Sequence, residues 1–199
     1  MEHTTWVDLI RHGEPVGGPR IRGQSDDPLT ELGWQQMWQA VGEDAAWQVI
    51  VSSPLTRCAA FARALADKHG LPLHVEPRFK EIAFGSWEGR GHDDLARREP
   101  ERYPRFRDDP LRYMPPDAEP VPVFMARVAE AWGELLAAHA GRRVLVVCHA
   151  GVIRAVLAAV LGAGPEHLFR AQVDYASLTR FAAPPHRPPS LISHAAPLA

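Results

Sequence analysis

The chain has 199 residues, of which 46% are hydrophobic and 23% are charged, and its formal net charge is −2. A chain of this length and composition is typical of one globular domain that buries a substantial core. The weak net charge gives no indication of binding to nucleic acid or to an anionic membrane surface, and no apolar run is long enough to span a bilayer.

The cysteine content and the N-terminal segment bear on the cellular compartment. Cys58 and Cys148 are the two cysteines of the chain, too few for the disulfide framework that is typical of small secreted proteins. The first residues lack the basic region followed by an apolar region that marks a signal peptide. We therefore expect a cytoplasmic protein.

The first part of the chain alternates between short apolar runs and helical patterns. Residues 4–10 form an apolar run that is typical of a central strand, and residues 16–27, rich in Gly and Pro, are predicted to form a loop. The segment DPLTELGWQQMWQAV predicts a helix with Thr30 as its N-cap. A second strand over 47–51 leads into SSPLTRCAAFARALADKHG, a second helix with Ser53 as the predicted cap, and a short third strand follows.

The second part begins with an irregular stretch over 77–122, in which a short helix is predicted near 92–98. The segment PVFMARVAEAWGELLAAHAG then predicts a long amphipathic helix. The segment RRVLVVCHAG repeats the opening pattern, with a strand over 144–148, and the apolar helix GVIRAVLAAVLG follows it. A last strand is predicted over 176–182. The Pro-rich tail over 184–199 is expected to be flexible and unpacked.

The alternation of strands and helices predicts an α/β fold, a three-layer α/β/α sandwich around a largely parallel sheet. We expect one domain over residues 1–183, followed by the tail. Loops over the strand ends build the mouth of a pocket in such folds, so the irregular insert at about 86–122 is expected to select the substrate. Ligands bind beyond the carboxyl ends of parallel strands.

These strand ends carry two histidines and two arginines. Arg11 and His12 follow the first strand, His149 follows the fourth, and Arg57 lies one helical turn beyond the end of the second. A guanidinium binds phosphate oxygens through a planar fork, and its charge disfavours protonation of a neighbouring imidazole. A neutral imidazole is a competent nucleophile. The set therefore predicts phosphoryl transfer to a histidine, with the arginines stabilising the charge on the transferred group.

A phosphate ester can lose its alcohol only if the departing oxygen receives a proton. A carboxylic acid in a sheltered site can supply it. The segment KEIAFGSWEG is the best candidate by position, and its two carboxylates, Glu81 and Glu88, both remain open on the residues alone.

Other readings of the same residues are less well supported. No HExxH pattern or Cys/His pairing has the spacing of metal ligands, so the ten histidines are expected to be scattered and no metal is expected. Cys148 could be a thiol nucleophile, but a buried strand cysteine is the commoner case. The seven arginines from Arg90 to Arg112 alternate with acidic residues, which predicts a solvated, salt-bridged face.

Four motifs resemble those of the histidine phosphatase superfamily, which includes the cofactor-dependent phosphoglycerate mutases. They are VDLIRHGEP around His12, SSPLTRCAAFA around Arg57, KEIAFGSWEG around Glu81 and VVCHAGVIR around His149. The segment GQSDDPLTELG also resembles the part of the family that precedes the first helix. A single RHG triplet would be weak evidence, whereas four motifs in the family's order are highly specific.

The resemblance implies a role for each matching residue. His12 is implied as the phosphorylated nucleophile, and Arg11, Arg57 and His149 as the phosphate pocket. The first glutamate of the acid motif, Glu81, is implied as the proton donor and later as the base. The resemblance implies that no metal is used, and we expect no cofactor in this chain.

One stretch departs from the family's pattern. Many members follow RHGE with Thr or Ser and then with an Asn that helps to hold phosphate. This chain has Pro15, Val16, Gly17 and Gly18 there. We expect Gln24 to supply the missing phosphate contact.

The insert and the segment FRAQVDYASLTRF resemble the corresponding parts of alpha-ribazole phosphatases. These enzymes remove phosphate from alpha-ribazole 5′-phosphate, or from the related cobalamin phosphate, late in cobalamin synthesis, and we expect the former as the substrate. The alternatives are a broad-specificity phosphatase and a phosphoglycerate mutase. The mutase ranks lower because dedicated mutases tend to be longer and the sequence shows no clear carboxylate clamp.

A non-catalytic phosphate-binding module is a further alternative, from a different class of function. Such a module would be expected to have lost one of His12, Arg57, Glu81 and His149, and all four are present. The expected partners are a small-molecule phosphate ester and a second copy of the chain in a homodimer, with no nucleic acid and no membrane.

Overall fold

The computed structural model describes residues 3–43 and 46–196. Strands and helices alternate along most of this length, as the sequence predicts, and short 3-10 turns occur in the loops. The strands are β1 (Thr5–Arg11), β2 (Val49–Ser52), β3 (Leu73–Val75), β4 (Arg143–Cys148), β5 (Leu178–Ala183) and β6 (Ser190–Ala196). The helices are α1 (Glu31–Val41), α2 (Thr56–His69), α3 (His92–Arg98), α4 (Pro110–Tyr113), α5 (Val121–Ala138) and α6 (Ala150–Leu161).

The strands form one sheet in the order β3-β2-β4-β1-β5-β6. The first four of these are parallel to one another, whereas β5 is antiparallel to β1 and β6 is antiparallel to β5. The register pairs Arg11 with Cys148, and Ser52 with Val147. The carboxyl ends of β1, β2 and β4 therefore meet at one edge of the sheet, and the prediction of a largely parallel sheet is confirmed.

Helices cover both faces of this sheet. Val7 and Leu9 of β1 pack into the same buried cluster as Phe124 of α5, whereas Ile10 belongs to a second cluster with Phe61 of α2. Side chains alternate between the faces of a strand, so β1 contributes to both clusters. Helices α5 and α6 lie on one face and α1 and α2 on the other, which confirms the three-layer α/β/α sandwich.

The helix ends were predicted with mixed success. The Thr30 side chain accepts a hydrogen bond from the Gly33 amide at the start of α1, as predicted. Helix α2 begins two residues later than its predicted start, with Leu55 at the cap position and no side-chain capping bond. The prediction that Ser53 caps α2 is therefore wrong, because its hydroxyl is bonded to His149 and accepts from the Leu55 amide, which precedes the first residue of the helix.

The prediction of an unpacked tail over 184–199 is wrong for residues 190–196. These residues form β6, which pairs with β5 through Arg180 and Ser193, among other pairs. The His194 side chain is bonded to the Thr179 hydroxyl and to the Gln172 carbonyl. The prolines lie before this strand, so composition over the whole segment concealed it. Residues 197–199 lie outside the described residues.

The irregular segment between β3 and α5 is held by aromatic packing. The Trp87 ring lies 5.3 Å from the rings of both Tyr103 and Phe106, and Phe106 lies 5.4 Å from Phe169. The short helix predicted near 92–98 is present as α3. No helix among the described residues is both long and apolar enough to cross a membrane.

Candidate active site

The ends of β1, β2 and β4 bring three polar side chains together. The His12 amide donates to the Cys148 carbonyl at 3.0 Å, and the Ser53 amide donates to the Val147 carbonyl at 3.0 Å. These bonds continue the sheet one residue past each strand. As a result His12, Ser53 and His149 lie side by side at the edge predicted to bind ligands.

A cleft of about 200 Å³ opens at this edge. It runs from the exposed Arg107 to the buried His12, whose residue surface is 5% exposed. Arginines and aromatic rings dominate its walls. The lining residues are Arg11, His12, Pro19, Arg20, Ile21, Arg22, Gly23, Arg57, Glu81, Ile82, Phe84, His92, Phe106, Arg107, Ala150, Gly151, Arg154, Phe169 and Tyr175.

The His12 imidazole is held in one tautomer. Its Nδ1 lies 2.8 Å from the Gly13 carbonyl oxygen, which can only accept, so Nδ1 carries the hydrogen and Nε2 keeps its lone pair. Burial lowers the pKa of His12 well below its ordinary value, and the charges of Arg57 and Arg11 lower it further. The sequence predicted the effect of the arginines, whereas burial is the larger cause. His12 is therefore neutral at neutral pH.

The turn after His12 is packed against the start of α1. A Cβ atom on Gly13 would lie 2.2 Å from the Gly33 carbonyl oxygen, and one on Gly33 would lie 2.1 Å from the Glu14 carbonyl oxygen. Only glycine at both positions allows this approach. The Glu14 amide also donates to the Gln36 side chain at 2.8 Å. The backbone beside His12 is thereby fixed to a helix.

The two predicted phosphate-binding arginines both line the cleft. Arg57 is 1% exposed and donates to the carbonyls of Ser25 and Gly23, each at 2.7 Å. Its Nε is buried and has no hydrogen-bond partner in the described part of the chain. Arg11 donates to the Val173 carbonyl at 2.7 Å, and its guanidinium lies 4.0 Å from the centre of the Tyr175 ring. Both guanidinium groups are therefore fixed in place.

Glu81 also lines the cleft, and two backbone amides hold its carboxylate. One oxygen accepts from the Ile82 amide at 3.0 Å, and the other from the Gly151 amide at 3.1 Å. Gly151 lies in the first turn of α6, where the backbone amides have no partner within the helix and are free to bind the Glu81 side chain. The motif that contains His149 thus also supplies a contact to Glu81.

Arg127 of α5 fixes the segment that carries Glu81. It donates to the carbonyls of Arg78, of Lys80 at 2.9 Å and of Glu81 at 3.2 Å, and it pairs with Glu119 at 2.7 Å. One side chain therefore binds three carbonyls in four residues. Nothing in the sequence pattern pointed to this role.

Glu88 lies outside the lining of the cleft and binds the backbone instead. Its carboxylate accepts from the amides of Gln24, Ser25 and Phe84 and from the Ser25 hydroxyl, at 2.9–3.1 Å. The same loop supplies the Ser25 carbonyl to Arg57. The geometry thus separates the two carboxylates of the motif, because Glu81 faces the cleft and Glu88 supports its wall.

His149 is brought next to His12 but does not line the cleft. The two ring centres are 5.3 Å apart in an edge-to-face arrangement, and His149 Nε2 lies 2.7 Å from the Ser53 hydroxyl. Burial lowers the pKa of His149 well below its ordinary value, with smaller contributions from Arg57 and His12. His149 is therefore a neutral residue behind the nucleophile candidate.

Gln24 is likewise absent from the lining. Its side-chain amide donates to the Glu81 carbonyl at 3.3 Å, and its backbone amide is bound by Glu88. Its neighbours Arg22 and Gly23 face the cleft in its place. The expected phosphate contact of Gln24 stays a prediction.

Sequence reasoning missed Arg22, Arg154 and Tyr175 as cleft residues. Arg154 follows Gly151 by three positions on α6, and residues at that spacing share a helix face, so this one could have been found. Tyr175 carries no comparable signal. Arg107 was predicted to lie on a salt-bridged face, but among the described residues it has no carboxylate partner and lines the cleft.

The alternative nucleophile and a metal site are poorly supported. Burial raises the pKa of the Cys58 thiol to about 12 and that of Cys148 well above its ordinary value, and neither cysteine lines the cleft. Within residues 3–43 and 46–196, no group of three or more His, Cys, Asp and Glu side chains is placed to hold a metal ion.

Comparison with known proteins gives consistent matches. A bifunctional protein of Mycobacterium tuberculosis is 33% identical over 176 residues, which is 86% of this chain but 48% of that protein, so the chain spans about half its length. The adenosylcobalamin/alpha-ribazole phosphatase of Escherichia coli K12 is 29% identical over 83% of this chain and 84% of its own length.

A solved structure of a mycobacterial glucosyl-3-phosphoglycerate phosphatase superposes with a TM-score of 0.85. It is 27% identical and covers 98% of this chain and 100% of its own. The model of the histidine phosphatase superfamily (branch 1) matches residues 7–192, which also include the first three residues of β6. The chain therefore belongs to the histidine phosphatase superfamily.

Proposed function

We propose that the chain is a phosphomonoesterase that works through a phosphohistidine formed on His12. The observation that carries this proposal is a buried, neutral imidazole with a free Nε2 lone pair, in a cleft that also contains Arg11, Arg57 and Glu81. A phosphate dianion would be attracted by the two guanidinium groups to the nucleophile. A small-molecule phosphate ester is accordingly the expected partner.

In the first step, the Nε2 lone pair of His12 attacks phosphorus and the bond from phosphorus to the ester oxygen breaks. The protonated carboxyl group of Glu81 donates its proton to the departing oxygen, and the alcohol leaves. Arg11 and Arg57 stabilise the charge on the oxygens of the transferred group. The products of this step are the free alcohol, a phosphohistidine and an ionised Glu81.

In the second step, water attacks the phosphorus and the bond to Nε2 breaks. The ionised Glu81 accepts a proton from this water, which restores the acid for the next cycle. Inorganic phosphate leaves and His12 is returned to its starting state. No metal enters this scheme, because the positive charge comes from arginines.

His149 and Gln24 support this site indirectly in our proposal. The His149 ring packs edge-on against His12 and is bonded to Ser53, so it limits rotation of the nucleophile. Gln24 holds the backbone of Glu81 and thereby contributes to the position of the acid.

Trapping the intermediate tests the proposal. Rapid quenching during turnover of a radiolabelled phosphate ester should give a phosphoenzyme that is labile in acid and stable in base. His12→Ala should abolish both the label and the turnover while circular dichroism shows an intact fold, because no other imidazole lies in the same position. Label on Cys148 or on Ser53 would contradict the mechanism.

Two substrates are candidates for this chemistry. Alpha-ribazole 5′-phosphate is supported by the resemblance of the insert, by the name of the Escherichia coli relative and by the rings of Phe84, Phe106 and Phe169 in the cleft, which could stack on a benzimidazole. An acidic phosphate ester is supported by Arg107 and Arg154. Release of inorganic phosphate from a panel of nucleoside, sugar and acid phosphates discriminates them.

A further inference from the structure

The cleft carries more positive charge than one phosphate group requires. Its lining includes six arginines and a single carboxylate, Glu81, although the whole chain has a formal net charge of −2. A concave region of one sign concentrates ligands of the opposite sign. The excess of arginines therefore needs an explanation beyond the reacting phosphate.

Four of the six arginines are already accounted for. Asp27 pairs with Arg20 at 2.8 Å and with Arg22 at 3.2 Å. Arg11 and Arg57 lie beside His12 and lower its pKa. The remaining two have no carboxylate partner among the residues that the structure describes.

These two, Arg107 and Arg154, form the outer arginine pair. The Arg107 guanidinium lies 5.6 Å from the centre of the Phe106 ring, and that of Arg154 lies 5.6 Å from the centre of the Phe169 ring. The two rings are in edge-to-face contact at 5.4 Å. Two touching rings thus hold the two guanidinium groups in one region of the cleft wall.

Arg154 is the more buried member of the pair. Its Nε donates to the Ala171 carbonyl at 2.7 Å, which satisfies one donor but does not compensate the charge. Burial lowers the pKa of Arg154 to about 10, so the group is still charged at neutral pH. The Glu81 charge acts on Arg154 in the opposite direction, but the two groups form no ion pair among the described residues. A charge that is partly removed from water without a paired counter-ion is unfavourable unless a ligand supplies one.

We propose that Arg107 and Arg154 bind a second anionic group of the substrate, a carboxylate or another phosphate on its alcohol portion. This inference rests on the proposed phosphatase function and narrows its substrate class. The guanidinium fork suits either group. The outer arginine pair then favours an acidic phosphate ester over alpha-ribazole 5′-phosphate, whose alcohol portion has no anionic group.

The test uses two esters that differ by one group, namely 3-phosphoglycerate with a carboxylate and glycerol 3-phosphate with a hydroxymethyl group. The wild-type protein should favour the acidic ester in kcat/KM. Arg107→Gln and Arg154→Gln should each reduce this preference roughly tenfold, as expected for the loss of one charge-assisted contact. The change should lie mainly in KM.

Arg105→Gln is the matched control, because Arg105 belongs to the same insert but pairs with Glu101 and does not line the cleft. It should leave the preference of the wild type intact. If turnover is too slow to compare, the affinities of the same two esters are measured by calorimetry on proteins that also carry His12→Ala. Equal affinity for both esters, or a preference that survives both cleft substitutions, would overturn the inference.

Hydrolysis of p-nitrophenyl phosphate separates failure of this inference from failure of the proposed function. If the wild type does not release phosphate from it, the phosphatase function itself is wrong. If the wild type is active but each cleft variant loses as much activity on this ester as on 3-phosphoglycerate, the arginines act on the transferred phosphate and the second anion site is rejected.

Discussion

The floor and the outer wall of the cleft are built in different ways. At the floor, main-chain hydrogen bonds at the ends of β1, β2 and β4 set the positions of His12, Ser53 and His149. At the outer wall, the contacts among Phe106, Phe169 and the outer arginine pair are made by side chains alone. The floor can therefore keep one chemistry, while a few side-chain changes at the wall would alter what binds.

The largest effect is expected when the two carboxylates of the KEIAFGSWEG motif, Glu81 and Glu88, are substituted in turn. Glu81→Gln should reduce turnover of an alkyl phosphate by roughly 10²–10⁴-fold, the usual range for general acid catalysis, provided formation of the phosphoenzyme limits the rate. The loss on p-nitrophenyl phosphate should be distinctly smaller, because a nitrophenolate leaves without a proton. Initial rates on both esters give the comparison.

Glu88→Gln is the control for that experiment. It should weaken the loop that binds Arg57 and raise KM for both esters to a similar extent, since Glu88 binds three backbone amides and the Ser25 hydroxyl and does not line the cleft. A leaving-group dependence in Glu88→Gln, or its absence in Glu81→Gln, would show that the acid is assigned to the wrong carboxylate.

A methyl group added beside Glu81, by the substitution Gly151→Ala, should have the next largest effect. A Cβ atom on Gly151 would lie 2.1 Å from a Glu81 oxygen and 3.2 Å from Phe124, so Gly151→Ala must displace the acid. We expect kcat to fall by roughly 10–100-fold, the cost of a small misplacement of a reacting group. Steady-state kinetics on an alkyl phosphate measures this fall.

Gly133→Ala is matched to that substitution, because it also lies in a helix and a Cβ atom there meets no neighbouring atom within 4 Å. It should keep full activity and stabilise the fold by about 0.5–1 kcal/mol through helix propensity. Equal kinetics in the two alanine variants would mean that the position of Glu81 is not critical.

The contribution of Arg127 to the position of the Glu81 segment is tested by Arg127→Met. This change removes the donors to three carbonyls of the Glu81 segment, and we expect kcat to fall by roughly tenfold, which corresponds to about 1.4 kcal/mol in the activation free energy. The loss should depend on the leaving group, as is expected for Glu81→Gln. Arg78→Met, which removes exposed ion pairs, should not show this dependence.

The smallest predicted effect concerns stability and pH. Burial lowers the pKa of His12 and of His149 in the folded state, so below pH of about 6.5 the unfolded chain binds more protons than the folded one. Stability should therefore fall on acidification, by up to about 1.4 kcal/mol per pH unit for each histidine. Urea unfolding at several pH values gives the free energy of unfolding as a function of pH. This free energy should change less steeply with pH in His12→Gln than in the wild type. An unchanged pH dependence would contradict a buried neutral His12.

Much of the floor was predictable because strand ends and motif order are local signals. His12, Arg57 and Glu81 were placed by the residues next to them in sequence, and the structure brings all three to one cleft. His149 was placed beside His12, but a ring bonded to Ser53 behind the cleft could not be foreseen, since that contact joins residues 96 positions apart.

The outer wall was harder to predict because its residues are far apart in the chain and lack periodicity. Arg107 stands in a run of arginines that mostly do form the predicted surface ion pairs, as Arg98 does with Asp94. Only the packing of Phe106 against Phe169 separates it from that group. Strand β6 was missed for a different reason, since the prolines before it dominated the composition of the tail.

The contact between Gly13 and Gly33 has a consequence for how this sequence can vary. Each glycine is required by the other's segment, because a side chain on either would collide with a carbonyl oxygen across the contact. The RHG triplet of this chain therefore depends on a residue outside the motif, 20 positions further on at the start of α1. The two glycine positions are constrained together, so a side chain introduced at residue 33 must displace the turn beside His12.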